Sequence, residues 1–221
     1  MIVEQSTVGL MEEFKIPYRD PFCPEDWKDW YHYILYDPKS HVRILYNVCF
    51  NGRPGTGFVA DTLFVTTPKG FIDQPVVDFS EETTYGFSRN QQWKEGDLET
   101  TPFNYQGEEI SFRISGSNVM GMHVTNRDQG FEFYLSGKSV SSPVYVPELA
   151  PYGRGFMGWG VMAGYQISGQ IRVQNRLMTI TEDWYCYHDR NFGRFNWGNI
   201  GWTWFVANAW DGNTKWAYVL H

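Results

Sequence analysis

Apolar residues alternate with polar ones over several short stretches of the chain, and few segments carry a helical period. In residues 42–50, VRILYNVCF, the side chains of Val42, Ile44, Tyr46, Val48 and Phe50 alternate with Arg43, Leu45, Asn47 and Cys49. A period of two over nine residues predicts a strand. FVADTLFVTT, GEEISFRIS, NVMGMHVTNR, GFEFYLSG, GYQISGQIRV, LMTITEDWYCYHD, GWTWFVANAW and KWAYVLH repeat this pattern between Gly, Asn and Asp turns. Roughly eight to eleven strands are expected, arranged as a sandwich or an antiparallel barrel. WKDWYHYILYD has Trp27, Trp30, Tyr31 and Ile34 at helical spacing, but its aromatic content favours a short helical turn at 24–28 followed by a strand. Residues 68–100, with Pro68, Gly70, Pro75 and two acidic clusters, read as loops with one or two short strands. Residues 141–165 carry three prolines and five glycines and read as a long loop. Residues 1–26, broken by Pro17, Pro21 and Pro24, read as an arm that covers part of a single domain spanning 27–221.

Composition sharpens this picture. Ten Trp, fourteen Tyr and sixteen Phe make up 18 % of the chain, which describes a well-filled core or a cavity with aromatic walls. A net charge of -7 and the lack of any Lys/Arg block argue against nucleic acid as a partner. The N-terminus is acidic where a signal peptide would be basic, and no apolar run reaches membrane-spanning length. A cytoplasmic protein without an integral membrane segment is expected. Cys23, Cys49 and Cys186 are odd in number and widely spaced, so neither a disulfide framework nor a metal site is expected. Five scattered histidines show no HxH or HExxH spacing, and no nucleotide or phosphate loop is present, so no metal and no cofactor are expected.

The chemistry concentrates between Gly164 and Trp204. On a strand, Tyr185, Tyr187, Asp189 and Asn191 share one face, while Trp184, Cys186, His188 and Arg190 share the other. Trp202 and Trp204 share a face with Val206 and Asn208, and pairing of the two strands would set an acid against indole surface. A carboxylic acid kept neutral in an apolar site can protonate an alkene, and Trp faces can stabilise the resulting cation. The alternative is a structural ion pair between Asp189 and Arg190 next to a turn at Asn191-Phe192-Gly193. The stripe Trp30-Tyr31-His32-Tyr33 is core, or one alternating half of it lines a cavity wide enough for a small ligand.

These residues resemble a known family. The strand Ile167-Ser168-Gly169-Gln170-Ile171-Arg172-Val173, then Asp189-Arg190-Asn191-Phe192-Gly193, then Gly201-Trp202-Thr203-Trp204 are similar to the carotenoid 1,2-hydratase and AttH-like group of lipocalin-like proteins. In that family, the hydroxyneurosporene synthase group, the central motif usually reads Asp-His-Asn-Trp-Gly. An early Glu-Trp-Trp-Tyr signature corresponds to Asp29-Trp30-Tyr31-His32. The resemblance implies an all-β, antiparallel, lipocalin-like (calycin-type) barrel with little helix. The chain would be a one-barrel member or the first of two barrels in a longer chain, with a second barrel domain or a second copy as partner.

It also implies a cofactor-independent enzyme acting on a hydrophobic, isoprenoid- or polyene-like small molecule, by acid–base hydration of an alkene or by cyclisation. A non-catalytic carrier of a hydrophobic ligand, or a pericyclase acting on a polyketide, are the alternatives. The family His stands as Arg190 and the family Trp as Phe192. An Arg does not release its proton near neutral pH, so the acid–base role passes to Asp189, Tyr187 or His188, and Arg190 would hold an anionic or carbonyl group. The catalytic set expected is Asp189, Arg190, Asn191 and Tyr187. The substrate-binding set is Trp30, His188, Trp202, Trp204, Tyr218 and His221.

Overall fold

The computed structural model describes residues 16–17, 22, 24–100, 103–115, 119–140, 143–196, 205–210 and 215–220. It is antiparallel β throughout, and the helix among the described residues is one 3-10 turn, Arg127–Gln129. The first strands are β1 (Trp27–Tyr36), β2 (Arg43–Asn51), β3 (Phe58–Lys69) and β4 (Asp78–Gln92). They are followed by β5 (Leu98–Thr100), β6 (Phe103–Gln106), β7 (Ile110–Ser115), β8 (Val119–Asn126) and β9 (Phe131–Ser139). Then come β10 (Val144–Tyr152), β11 (Gly155–Met162), β12 (Tyr165–Val173), β13 (Arg176–Ile180) and β14 (Tyr185–Arg194). The hairpin β15 (Phe205–Trp210) and β16 (Lys215–Leu220) is last.

One seven-stranded sheet runs β10-β11-β14-β1-β2-β3-β4, and a second runs β13-β12-β9-β8-β7-β6-β5. Among the described residues no strand ladder joins the two, so the expected barrel is two facing sheets and not a closed cylinder. The reason is size. A cylinder of fourteen strands, seven from each sheet, would enclose a lumen that side chains cannot fill. Facing sheets let the inward aromatics meet: Tyr31 and Phe112 at 5.0 Å, Phe50 and Tyr105 at 5.1 Å, Phe87 and Phe131 at 5.4 Å, Tyr46 and Phe133 at 6.0 Å between ring centres. Along one edge a side chain does the tying. Arg89 on β4 binds Asp61 on β3 through two nitrogens at 2.7 and 3.0 Å, and reaches Glu109 and the Thr125 carbonyl of the other sheet. Ile16, within the expected N-terminal arm, is buried in the same core.

Several elements differ from the sequence reading. Residues 78–92 form one long strand, where short strands in loops were expected. β4 is an edge strand with polar residues on both faces and Phe87 as its one fully buried apolar side chain, so no hydrophobic alternation betrays it. Residues 144–162 form the β10–β11 hairpin and not a loop. Pro147 and Pro151 sit on an edge strand whose register shifts between Val146 and Ala150, which is where a sheet tolerates proline. Gly158 admits a neighbour: a Cβ there would lie 2.4 Å from the Phe192 ring. At 24–28 a hydrogen-bonded turn, Trp27 N–H to the Pro24 carbonyl at 3.1 Å, leads directly into β1 without a helix. The strand count therefore exceeds the eight to eleven expected.

Candidate functional site

β14 lies between β1 and β11, and eight successive residues, Cys186 to Gly193, are buried. Both faces of this strand are therefore covered, and its alternation separates two sets of polar groups. Among the described residues β14 pairs with β1 and, over residues 188–194, with β11, while β15 pairs with β16; the expected pairing of β14 with a strand through Trp202 and Trp204 is not seen for the described part, 205–210. Trp202, Trp204 and His221 lie outside the described residues. Tyr218 belongs to β16, opposite Ala207.

The face turned into the core carries Cys186, His188, Arg190 and Phe192. The Arg190 Nε donates to Asp29 Oδ1 at 2.8 Å and Nη2 to Oδ2 at 2.6 Å, with both side chains fully excluded from solvent. The guanidinium also sits 4.6 Å from the centre of the Tyr31 ring, so its face and its edge are both used. Arg190 thus neither pairs with Asp189 nor joins it: the two neighbours point to opposite sides of the sheet. His188 is stacked on Tyr33 with ring centres 4.3 Å apart and planes 10° from parallel, and Tyr165 meets it edge-on from the second sheet. Its Nδ1 donates to the His32 carbonyl at 3.0 Å.

Burial pushes the His188 imidazole down to about 3, and the nearby Arg190 charge acts the same way. It is neutral at physiological pH. Because the folded value lies below the ordinary 6.5, the unfolded chain takes up a proton that the fold excludes as the pH falls through that interval. Stability is expected to drop by about 2–3 kcal/mol between pH ~6.5 and ~4.5 from this residue. His188→Gln removes that titration, so urea unfolding at the two pH values should show a shallower acid slope in the variant. Equal slopes would assign the loss to other groups.

The opposite face carries Tyr187, Asp189 and Asn191, all buried, with Asp189 at 9 % exposure the most accessible. The Tyr187 hydroxyl donates to Asp189 Oδ2 at 2.9 Å and the Asn191 amide donates to Oδ1 at 3.0 Å. Both carboxylate oxygens are thereby oriented by neutral donors two residues away on the same strand. In the register, Asp189 stands between His32 of β1 and Val161 of β11, and Asn191 stands between Trp30 and Trp159. The His32 and Tyr187 rings are 6.4 Å apart. Asn47 of β2 accepts from Trp30 Nε1 at 3.0 Å and from His32 Nδ1 through the same oxygen. An indole N–H can only donate, which identifies that atom as the amide oxygen and makes His32 Nδ1 a donor to it.

The structure thus brings Trp30, Tyr187, Asp189 and Asn191 together and adds His32, Asn47 and Trp159, which the sequence reading did not select. Of the Trp30–Tyr33 stripe, Trp30 and His32 belong to this face, while Tyr31 and Tyr33 are core. Strand parity in β1 already groups Trp30 with His32. Nothing in the sequence places them beside Asp189. Among the described residues no group of three His, Cys, Asp or Glu is set to hold a metal, and no helix is long and apolar enough to cross a membrane.

No protein-family model and no curated protein sequence matches the chain. Solved structures do. A protein of Nitrosomonas europaea classed as AttH superposes with a TM-score of 0.59 at 10 % identity, over 94 % of this chain and 68 % of its own. Kievitone hydratase from Nectria haematococca superposes with a TM-score of 0.54 at 12 % identity, over 95 % of this chain and 65 % of its own. The chain therefore spans about two thirds of the length of each. Identity this low speaks for architecture, and what the chain shares with both is the antiparallel, all-β, lipocalin-like fold.

Proposed function

We propose that this protein is a hydratase-type enzyme that adds water to, or removes it from, a carbon–carbon double bond of a hydrophobic, isoprenoid- or polyene-like substrate, using side chains alone. The observation that carries the reading is the Asp189 carboxylate, buried on the face of β14 turned away from the core. Tyr187 and Asn191 orient it, and His32 and two tryptophan strand positions stand beside it. The fold shared with a kievitone hydratase supports the same reading.

In the hydration direction an acid delivers a proton to one alkene carbon. The oxygen of a water molecule bonds to the other carbon, and the water's surplus proton passes to a base. Asp189 and His32 are the two proton-transfer groups, with the Tyr187 hydroxyl as a relay on Asp189. Trp30 and Trp159 supply flat apolar walls, and their ring faces stabilise positive charge as it develops on carbon. Arg190 contributes from behind the sheet, holding β14 to β1 through Asp29.

The test is incubation in heavy water with a panel of acyclic polyenes and aryl-substituted alkenes, followed by mass spectrometry. A hydratase gives a product that has gained the elements of heavy water, with one deuterium fixed on carbon. Ligand returned unchanged would identify a carrier. An isomer without carbon-bound deuterium would identify a pericyclic reaction.

A further inference from the structure

The face that carries Asp189 continues along β1 and β14 to a cleft of about 360 Å³ lined by Ile34, Tyr36, His41, Tyr185 and Val206, with the ion-paired Arg43 and Glu82 at its rim. The two ends are linked by the strand register. Tyr36 stands opposite Tyr185, Ile34 opposite Tyr187, and His32 opposite Asp189. Ile34 lines the cleft, and its partner Tyr187 donates directly to the Asp189 carboxylate.

The chemistry of the lining is particular. Tyr36 and Tyr185 present nearly parallel rings, 16° apart with centres at 6.4 Å. His41 meets Tyr36 edge-on and touches Phe79, itself 62 % exposed. Arg43, paired with Glu82, keeps half of its side chain in solvent at the rim. His41 also holds a backbone φ of 58°, a left-handed conformation that costs a non-glycine residue energy. Flat aromatic faces with a guanidinium at the rim, one of whose nitrogens is held by Glu82, suit a planar ring system whose anionic or carbonyl oxygen accepts from the arginine's other N–H groups.

We infer that this cleft is a subsite for the far end of an elongated substrate: a planar, conjugated group carrying an oxygen anion or carbonyl, bound between Tyr36, Tyr185, His41 and Arg43 while the reacting double bond lies at Asp189. The inference rests on the proposed role of Asp189. Asp189 lies four residue steps along the strand from Tyr185, so the substrate spans about 13 Å between the two groups. This selects against short alkenes and against compact ring systems.

Binding can be read without turnover, which separates this inference from the activity beneath it. The probe is anilinonaphthalene sulfonate, planar and anionic, followed by its fluorescence. Phenylnaphthylamine, the same ring system without the sulfonate, is the control. Arg43→Gln changes a half-exposed residue whose ion pair contributes little to stability, and it is expected to weaken the sulfonate probe about fivefold and the neutral probe less than twofold. His41→Gly suits the left-handed backbone, so the fold is retained, and it should weaken both probes by removing an aromatic wall. Asp189→Asn should leave both affinities unchanged. Loss of the sulfonate probe's binding in Arg43→Gln, with the neutral probe retained, supports the subsite. Absence of saturable binding in the parent protein, or Arg43→Gln affinities within twofold for both probes, overturns it.

Discussion

Arg190→Met is expected to destabilise the fold by about 3–5 kcal/mol, because it strands the Asp29 carboxylate in a site closed to water. For a chain of this length that corresponds to a fall in Tm of roughly 10 °C. Asp29 and Arg190 lie on adjacent strands and are wholly excluded from solvent, with both carboxylate oxygens engaged. Lysine does not substitute, since one ammonium cannot satisfy two carboxylate oxygens and the Tyr31 face together. The double variant Asp29→Leu/Arg190→Met removes both charges and should regain most of the loss, because a buried pair is worth little over an apolar replacement of similar volume. Urea unfolding of the two single variants and the double gives the coupling energy directly. A single variant within about 1 kcal/mol of the parent would show that solvent reaches this pair.

Asp189→Asn is expected to lower turnover about a hundredfold or more while leaving the fold intact. The geometry makes this substitution unusually clean. Tyr187 and Asn191 both donate to the carboxylate; the Asn191 amide needs an acceptor, whereas the Tyr187 hydroxyl can donate or accept. An asparagine can therefore turn its oxygen to Asn191 and its NH₂ to Tyr187, keeping both hydrogen bonds and losing only the group that exchanges a proton. His32→Gln should cost a comparable factor in rate, whereas Tyr187→Phe, which removes the relay and leaves the carboxylate, should cost less. Full activity in Asp189→Asn at unchanged Tm would move the reaction to another part of the chain.

Much of the fold could be read from the alternation of single segments. β2 shows its inward residues as every second apolar side chain, and β12 and β9 do the same. Two regions resisted. β4 lies at the sheet edge with polar residues on both sides, so it has no buried face to advertise. β10 and β11 contain prolines and glycines, which mark loops in most chains; here they mark an edge strand and a close approach to Phe192.

The site divides in the same way. Asp189, Asn191 and Tyr187 were visible because they share a strand and a parity. Their grouping with His32 depends on the β1–β14 register, which joins distant parts of the chain and leaves no trace in either segment alone. The pairing of Arg190 with Asp29 instead of its sequence neighbour has the same origin: adjacent residues on a strand point to opposite sides, so proximity in sequence argues against an ion pair there.

Because β14 is covered on both sides, its substitutions should fall into two interleaved phenotypes. Changes at 186, 188, 190 and 192 are expected to act on the folded fraction, and changes at 187, 189 and 191 on the proposed reaction. The two sets are insulated by the backbone between them. A lineage can therefore retune the reactive face, exchanging an acid for an amide or a phenol for an apolar ring, without renegotiating the core. One strand can serve different chemistries in different descendants while the scaffold beneath it stays the same.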